Sequence, residues 1–177
     1  MYLTKNTNHI RIILQHLSGE DINVDRFTFR INDENGLMAY NNDILTDENI
    51  NYRPWKTLNG EVGVGKNDTR AIITVKGAIV DLTVGRMMYE HRSKMILTIT
   101  NDVGETVVRI PVIGYALLAK NYYEEEYGHL MTNQEFLDRE DEYVMTLFLD
   151  ENNNWLSTTF LSILGVWCLT TLNFNKF

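Results

Sequence analysis

The 177-residue sequence predicts an all-β fold with short helical insertions, a sandwich or a barrel. Three observations carry that prediction. Apolar residues recur at every second position through most of the chain, which is the period of half-buried strands. Clusters of Gly, Asn and Asp interrupt these runs at short intervals, as the turns of antiparallel sheets require. A chain of this length buries about 70% of the surface its unfolded form exposes, so its 44% of hydrophobic residues can fill one core without a disulfide or metal staple.

Each element follows from local pattern. His9 to Leu17 alternates around Ile10, Ile12 and Leu14 and predicts a strand that Gly19 ends. Arg26 to Ile31 alternates strictly, so Phe27, Phe29 and Ile31 share the core face; Asp33-Glu34-Asn35-Gly36 then supplies an Asn-Gly turn into Leu37-Met38-Ala39-Tyr40, which predicts a hairpin. Further strands are expected at Ala71–Val75, Ile79–Met88, Met95–Thr100 and Thr106–Ile113, the last two joined by the turn Asn101-Asp102-Val103-Gly104. Tyr115–Tyr123, with Ala116, Leu117, Leu118 and Ala119 in succession, reads as a short helix. Thr132 and Glu135 form a Thr-x-x-Glu capping box that opens a second helix to about Glu142. Tyr143–Leu149 alternates again, Asp150 to Asn154 turns the chain, and Trp155 begins another strand. No repeat or linker divides the chain, so residues 1–177 are expected to form one domain.

Charge narrows the partners. The net charge of −8 has the wrong sign for phosphate backbones, so nucleic acid is not expected. No apolar run reaches the length of a membrane helix. The polar opening Met1 to Asn8 has neither an apolar stretch nor a cleavage site of the secretory kind. The single Cys168 is compatible with either redox compartment.

Several motifs point to chemistry and then fail on context. Gly60-Glu61-Val62-Gly63-Val64-Gly65-Lys66 has the spacing of a phosphate-binding loop, but Asn67 stands where the magnesium-binding hydroxyl belongs and a strand-like run follows instead of a helix; a flexible loop is expected. Asp150, Asn152 and Asn154 imitate the first half of a calcium loop, yet Trp155 and Leu161 occupy the positions of its turn glycine and bidentate glutamate, which leaves a polar hairpin turn. His9, His16, His91 and His129 are dispersed, without metal spacing, and are expected at the surface or at edges. The carboxylates Glu124 to Glu126 and Asp138 to Glu142 read as solvated faces, and Cys168 has no base near it in sequence. Accordingly no catalytic, cofactor or metal residue is assigned, and an enzyme is not expected.

The order of segments Asp81-Leu82-Thr83-Val84-Gly85-Arg86-Met87-Met88, Ile110-Pro111-Val112-Ile113-Gly114-Tyr115-Ala116-Leu117-Leu118 and Gln134-Glu135-Phe136-Leu137-Asp138-Arg139-Glu140-Asp141-Glu142-Tyr143-Val144-Met145-Thr146-Leu147-Phe148-Leu149-Asp150 resembles the anchor and accessory subunits of Bacteroidetes-type (type V) fimbriae. Phe27 to Ile31, Asn35-Gly36, Tyr40-Asn41-Asn42 and Tyr52-Arg53-Pro54-Trp55 are similar to the opening of that family's C-terminal domain, and the likeness runs from about residue 8 to about 160. The resemblance implies a transthyretin-like Greek-key β-sandwich, the second of two such domains in a secreted lipoprotein at the outer membrane. Its partners would be other fimbrial subunits, and its membrane contact a lipid anchor on a segment before Asn8.

Near Thr159 the likeness stops. Synonymous codons for Leu161 to Asn175, shifted by two nucleotides, can spell the family's usual ending Ile-Asn-Ser-Trp-Arg-Val-Val and reach a stop. The expectation is a frameshift between Ser157 and Leu161 and a tail from Gly165 that is an ill-fitting edge strand or disordered, with Trp167 and Cys168 less buried than in a core strand.

Two function classes follow. The leading one is a structural cell-adhesion module that engages neighbouring subunits through an open sheet edge, whose unpaired N–H and C=O groups accept a strand. The alternative is a lectin-like sandwich holding a saccharide on the rings of Trp55, Tyr122, Tyr123 and Tyr127. A hydrolase using the Asp138 to Glu142 carboxylates is the least favoured.

Overall fold

The strand predicted near the N-terminus, β1 (Thr7–His16), lies inside the larger of two main sheets, with Ile10, Ile12 and Leu14 fully buried on one face. The computed structural model describes residues 5–34, 36–41, 43–45, 49–65, 72–128, 130–162 and 166–170. A 3-10 turn, Val24–Arg26, leads to β2 (Phe27–Asp33), and a second, Tyr89–His91, lies further along the chain; β3 (Leu37–Met38), β4 (Ile44–Leu45) and β5 (Ile50–Tyr52) are short. Then come β6 (Lys56–Gly65), β7 (Ile72–Gly85), β8 (Ile96–Asn101) and β9 (Thr106–Pro111). Helices α1 (Val112–Ala116), α2 (Leu118–Tyr127) and α3 (Asn133–Arg139) precede β10 (Glu142–Leu149), β11 (Trp155–Ser162) and β12 (Val166–Thr170).

The larger sheet has the order β12-β11-β10-β1-β7-β6, the smaller β5-β2-β8-β9, and β3-β4 forms a separate ribbon. β1 runs parallel to β10 and antiparallel to β7; the other ladders are antiparallel. Alternation puts Ile10, Ile12, Leu14, Val80, Leu82, Met145 and Leu147 of one sheet into the same core as Phe29, Ile31, Leu97, Ile99, Val108 and Ile110 of the other. Two sheets sharing one core, with short helices added, is the predicted all-β class in its sandwich rather than its barrel form.

The helices close the remaining side of the core. Ile113, Ala116, Ala119, Phe136 and Leu137 are buried there, and Tyr123 packs on Phe136 with ring centroids 6.5 Å apart. The capping box forms as expected: Thr132 Oγ1 accepts from the Glu135 N–H at 3.2 Å, and Glu135 Oε2 accepts from the Thr132 N–H at 2.6 Å. No helix among the described residues is long and apolar enough to cross a membrane.

Several expectations change. The hairpin between β2 and Leu37–Tyr40 does not form: β2 pairs with β8 and β5, and β3 pairs with β4. Leu37 and Tyr40 are exposed and offer no core face, whereas Leu97 and Ile99 of β8 bring two fully buried side chains into register with β2. Asn35 of the expected Asn35-Gly36 turn lies outside the described residues. Gly60 to Gly65 is no flexible loop but the body of β6, laddered on β7. Two facing glycines relieve crowding in this ladder: a Cβ on Gly60 would collide with Ile79 Cδ1, and one on Gly77 would sit 2.9 Å from Val62 Cγ2. The strands expected at Ala71–Val75 and Ile79–Met88 are one strand, β7, bridging Gly77. The strand from Thr106 stops at Pro111, where helical backbone begins, so the expected Tyr115–Tyr123 helix is two, and α3 ends at Arg139 rather than Glu142. Finally, His16 is 6% exposed, with Nδ1 2.9 Å from the Asp150 carbonyl, while His9 and His91 are partly buried and His129 lies outside the described residues.

At the C-terminal end, β12 is, among the described residues, an edge strand paired with β11, from Ser162 opposite Val166 to Thr158 opposite Thr170. Its edge position agrees with the expectation for the tail; the side chains of Trp167 and Cys168 lie outside those described.

Candidate functional site: an open sheet edge

β2 is seven residues long, but on its outer edge only Ile31, Asn32 and Asp33 are covered, by Tyr52, Asn51 and Ile50 of β5. Phe27 to Arg30 pair with β8 on one side and, among the described residues, with no strand on the other. The uncovered run borders a cleft of about 420 Å³ lined by Phe27, Thr28, Phe29, Arg30, Arg53, Pro54 and Thr57.

The sequence explains why β5 stops. Continued in register, it would set Arg53 opposite Arg30 and Pro54 opposite Phe29. Like charges directly across a ladder destabilise it, and proline has no N–H to give. The chain instead crosses to the other sheet, where the Trp55 N–H donates to the Asp81 carbonyl at 3.1 Å and begins the β6 ladder. The far end of the gap is closed by the Val24–Arg26 turn, pinned to β6 because the Val24 N–H donates to Asn59 Oδ1 at 2.7 Å and Asn59 Nδ2 donates to Asn23 Oδ1 at 3.1 Å. The gap is therefore four residues long, about 13 Å of strand.

Inside the cleft Phe29 is 3% exposed and Phe27 partly buried, whereas Thr28, Arg30 and Arg53 face solvent. Neither Arg30 nor Arg53 has an ion-pair partner among the described residues, while neighbouring Arg26 is held by Asp102 at 2.9 Å.

Behind the crossing, Asp81 is 1% exposed and takes two hydrogen bonds from Arg11, with His9 Nε2 3.4 Å away. Burial pushes the Asp81 carboxyl up, but the hydrogen bonds and charge of Arg11 outweigh it and hold the group below the usual carboxylate range. The His9 ring lies 5.9 Å from that of Trp55, which is 62% exposed.

The other residues singled out in the sequence do not converge. Asp138 is bound by both ends of Arg86, each at 2.8 Å, and by Gln134 at 3.0 Å, and Glu140 is buried behind it. Glu124 pairs with Lys120 and accepts from the Met131 N–H. Asp150 spends its carboxylate on its own turn, accepting from the N–H groups of Asn152 and Asn154 and from Asn154 Nδ2. No group of three or more metal-ligating side chains occurs among the described residues. Of the four rings considered for saccharide stacking, Trp55 is exposed, Tyr123 is 6% exposed in the core, and the side chains of Tyr122 and Tyr127 lie outside those described. The gap at Phe27–Arg30 was missed from sequence because Arg30 and Arg53 conflict only once the β2–β5 register is known.

Comparison with known proteins bears on what such a module belongs to. Residues 1–162 match the model of the family described as fimbrillin-A associated anchor proteins Mfa1 and Mfa2. No curated protein matches the chain. Among solved structures, one described as a candidate adhesin from Bacteroides thetaiotaomicron is 32% identical, with TM-score 0.76 over 94% of this chain and 53% of that one. A second from the same organism, described as a candidate polysaccharide-binding protein, is 22% identical with TM-score 0.68, over 94% of this chain and 51% of that one. The fimbrial anchor protein Mfa2 of Porphyromonas gingivalis shares the fold at 11% identity and TM-score 0.58, over 94% of this chain and 50% of the anchor. The chain thus spans about half the length of these structures. With the family model matched over nearly all of it, the chain belongs to the fimbrillin-A associated anchor protein family.

Proposed function

We propose that the chain is a structural cell-adhesion module: the C-terminal transthyretin-like sandwich of a two-domain fimbrial anchor or accessory subunit, engaging neighbouring subunits by strand pairing. The observation that carries the reading is the four-residue run Phe27–Arg30, uncovered on one side and bordered by a cleft. Main-chain pairing supplies affinity there, and the side chains of the cleft select the partner. The family is one of fimbrial anchors and not of enzymes. On this reading the full-length parent stands at the cell surface, in the fimbria, and a lipid anchor on that parent holds it to the outer membrane.

Amide hydrogen exchange on the full-length parent, alone and bound to its shaft subunit, tests the reading. Complex formation should slow exchange at residues 27–30. A stable complex with unchanged exchange there would remove this edge from assembly.

A lectin-like role remains the second reading, favoured by the exposed ring of Trp55. A glycan array whose signal disappears on Trp55→Ala would support it; a blank array would dismiss it.

A further inference from the structure

Charge at the gap opposes that of the chain. The protein carries −8 overall, yet Arg26 to Arg30 and Arg53 to Thr57 contain three arginines and one lysine and no acid. Arg26 is committed to Asp102, which leaves Arg30 and Arg53 on the lining of one cleft with no counter-charge among the described residues. The alternation of β2 fixes where each kind of side chain on an added strand would go. Positions beside Phe27 and Phe29 face the core, and positions beside Thr28 and Arg30 face solvent.

We propose that the strand accepted at Phe27–Arg30 is a short segment of a partner protein that alternates apolar with acidic residues. The apolar residues lie beside Phe27 and Phe29 on the core side and cover what Phe27 still exposes, and a carboxylate stands between the guanidinium groups of Arg30 and Arg53. The inference rests on the strand-pairing reading above and adds to it the chemistry of the partner. The same repulsion that keeps Arg53 from pairing opposite Arg30 becomes an attraction for an acid placed between them. A neutral strand gains the ladder and the apolar cover alone, and a basic strand meets two like charges. Because both arginines are exposed, the attraction is screened by salt.

The test uses the 177-residue chain and three capped, fluorescein-labelled tetrapeptides that match the four-residue gap: valine alternating with glutamate, with serine and with lysine. Binding is followed by anisotropy at low and high salt, and the site is located by amide exchange. The glutamate peptide should bind roughly five- to tenfold more tightly than the serine peptide at low salt. That margin should shrink at high salt, with residues 27–30 protected. The double variant Arg30→Glu, Arg53→Glu should reverse the preference in favour of the lysine peptide; both side chains are exposed, so a folded protein is expected. Equal binding of the glutamate and serine peptides, with residues 27–30 protected, overturns the acidic preference and leaves strand pairing standing. Protection of residues 27–30 by none of the peptides overturns both. Protection that grows with protein concentration in their absence makes the occupant a second copy of the chain and overturns the proposed partner.

Discussion

Arg11 grips Asp81 across the β1–β7 ladder with two hydrogen bonds, Nε to Oδ1 at 2.7 Å and Nη2 to Oδ2 at 3.2 Å, although the carboxylate side chain is 1% exposed and the arginine 44%. The two ends of the pair are unequal. Removing Arg11 strands a buried charge, whereas removing the charge of Asp81 frees an arginine that already reaches water. Arg11→Met should therefore cost about 3 kcal/mol, and Asp81→Asn clearly less. Urea unfolding of both variants at neutral pH checks the order.

The pair also sets an acid limit. The folded carboxyl of Asp81 lies below its unfolded value, so the stability it contributes is present above about pH 4 and is lost as pH falls through the folded value. Glu140 has the opposite sign: burial raises its carboxyl, against the weaker pull of Arg139 and Lys5, so stability falls as pH rises through that window. Glu140→Gln should stabilise the protein at pH 7 relative to pH 4, and Asp81→Asn should flatten acid unfolding below pH 4. Chemical denaturation across pH 3 to 8 reads both.

Phe29 was legible as core from sequence alone, because Arg26 to Ile31 alternates without exception, and it is 3% exposed. Phe29→Ala should cost about 3–5 kcal/mol, and Thr28→Ala on the opposite face little. A loss under about 1 kcal/mol for Phe29→Ala would contradict the assignment of the inner face.

What the sequence conceals is pairing between distant strands. Period and turn chemistry are local, so β1, β2, the β8–β9 hairpin, α3 and the β10–β11 turn could all be read from neighbouring residues. The Asn-Gly signal after β2 was locally sound, but β8, sixty and more residues away, offers a better apolar face. Likewise the glycine-rich Gly60 to Gly65 looks like a loop until β7 is laid beside it. The candidate edge was hidden for the same reason.

Gly77 shows how tightly that pairing is packed. A Cβ there would lie 2.9 Å from Val62 Cγ2 and 3.1 Å from the Leu14 carbonyl oxygen, and the backbone atom cannot swing aside. Gly77→Ala should destabilise by about 1–3 kcal/mol. Thermal unfolding measures it, with Gly104→Ala as the contrast: its Cβ meets nothing within 4 Å, and any cost there comes from its φ of +86° alone.

Lengthening β5 closes the gap from within. Inserting Thr-Val between Tyr52 and Arg53 lengthens β5 by two residues, which fall opposite Arg30 and Phe29 in the existing register. Arg53, Pro54 and Trp55 remain to make the crossing, and Trp55 keeps its bond to the Asp81 carbonyl. The inserted valine and threonine favour strand backbone, and neither repeats the conflict of Arg53 with Arg30 or the missing donor of Pro54. The variant should fold with at least the stability of the parent and, with no partner present, protect whichever amide of Phe29 and Arg30 points away from β8. It should also fail to take up a partner strand, because the unpaired edge now belongs to its own chain. If the lengthened protein is protected at that outward amide and still assembles undiminished with its shaft subunit, the edge of β2 is not where assembly occurs.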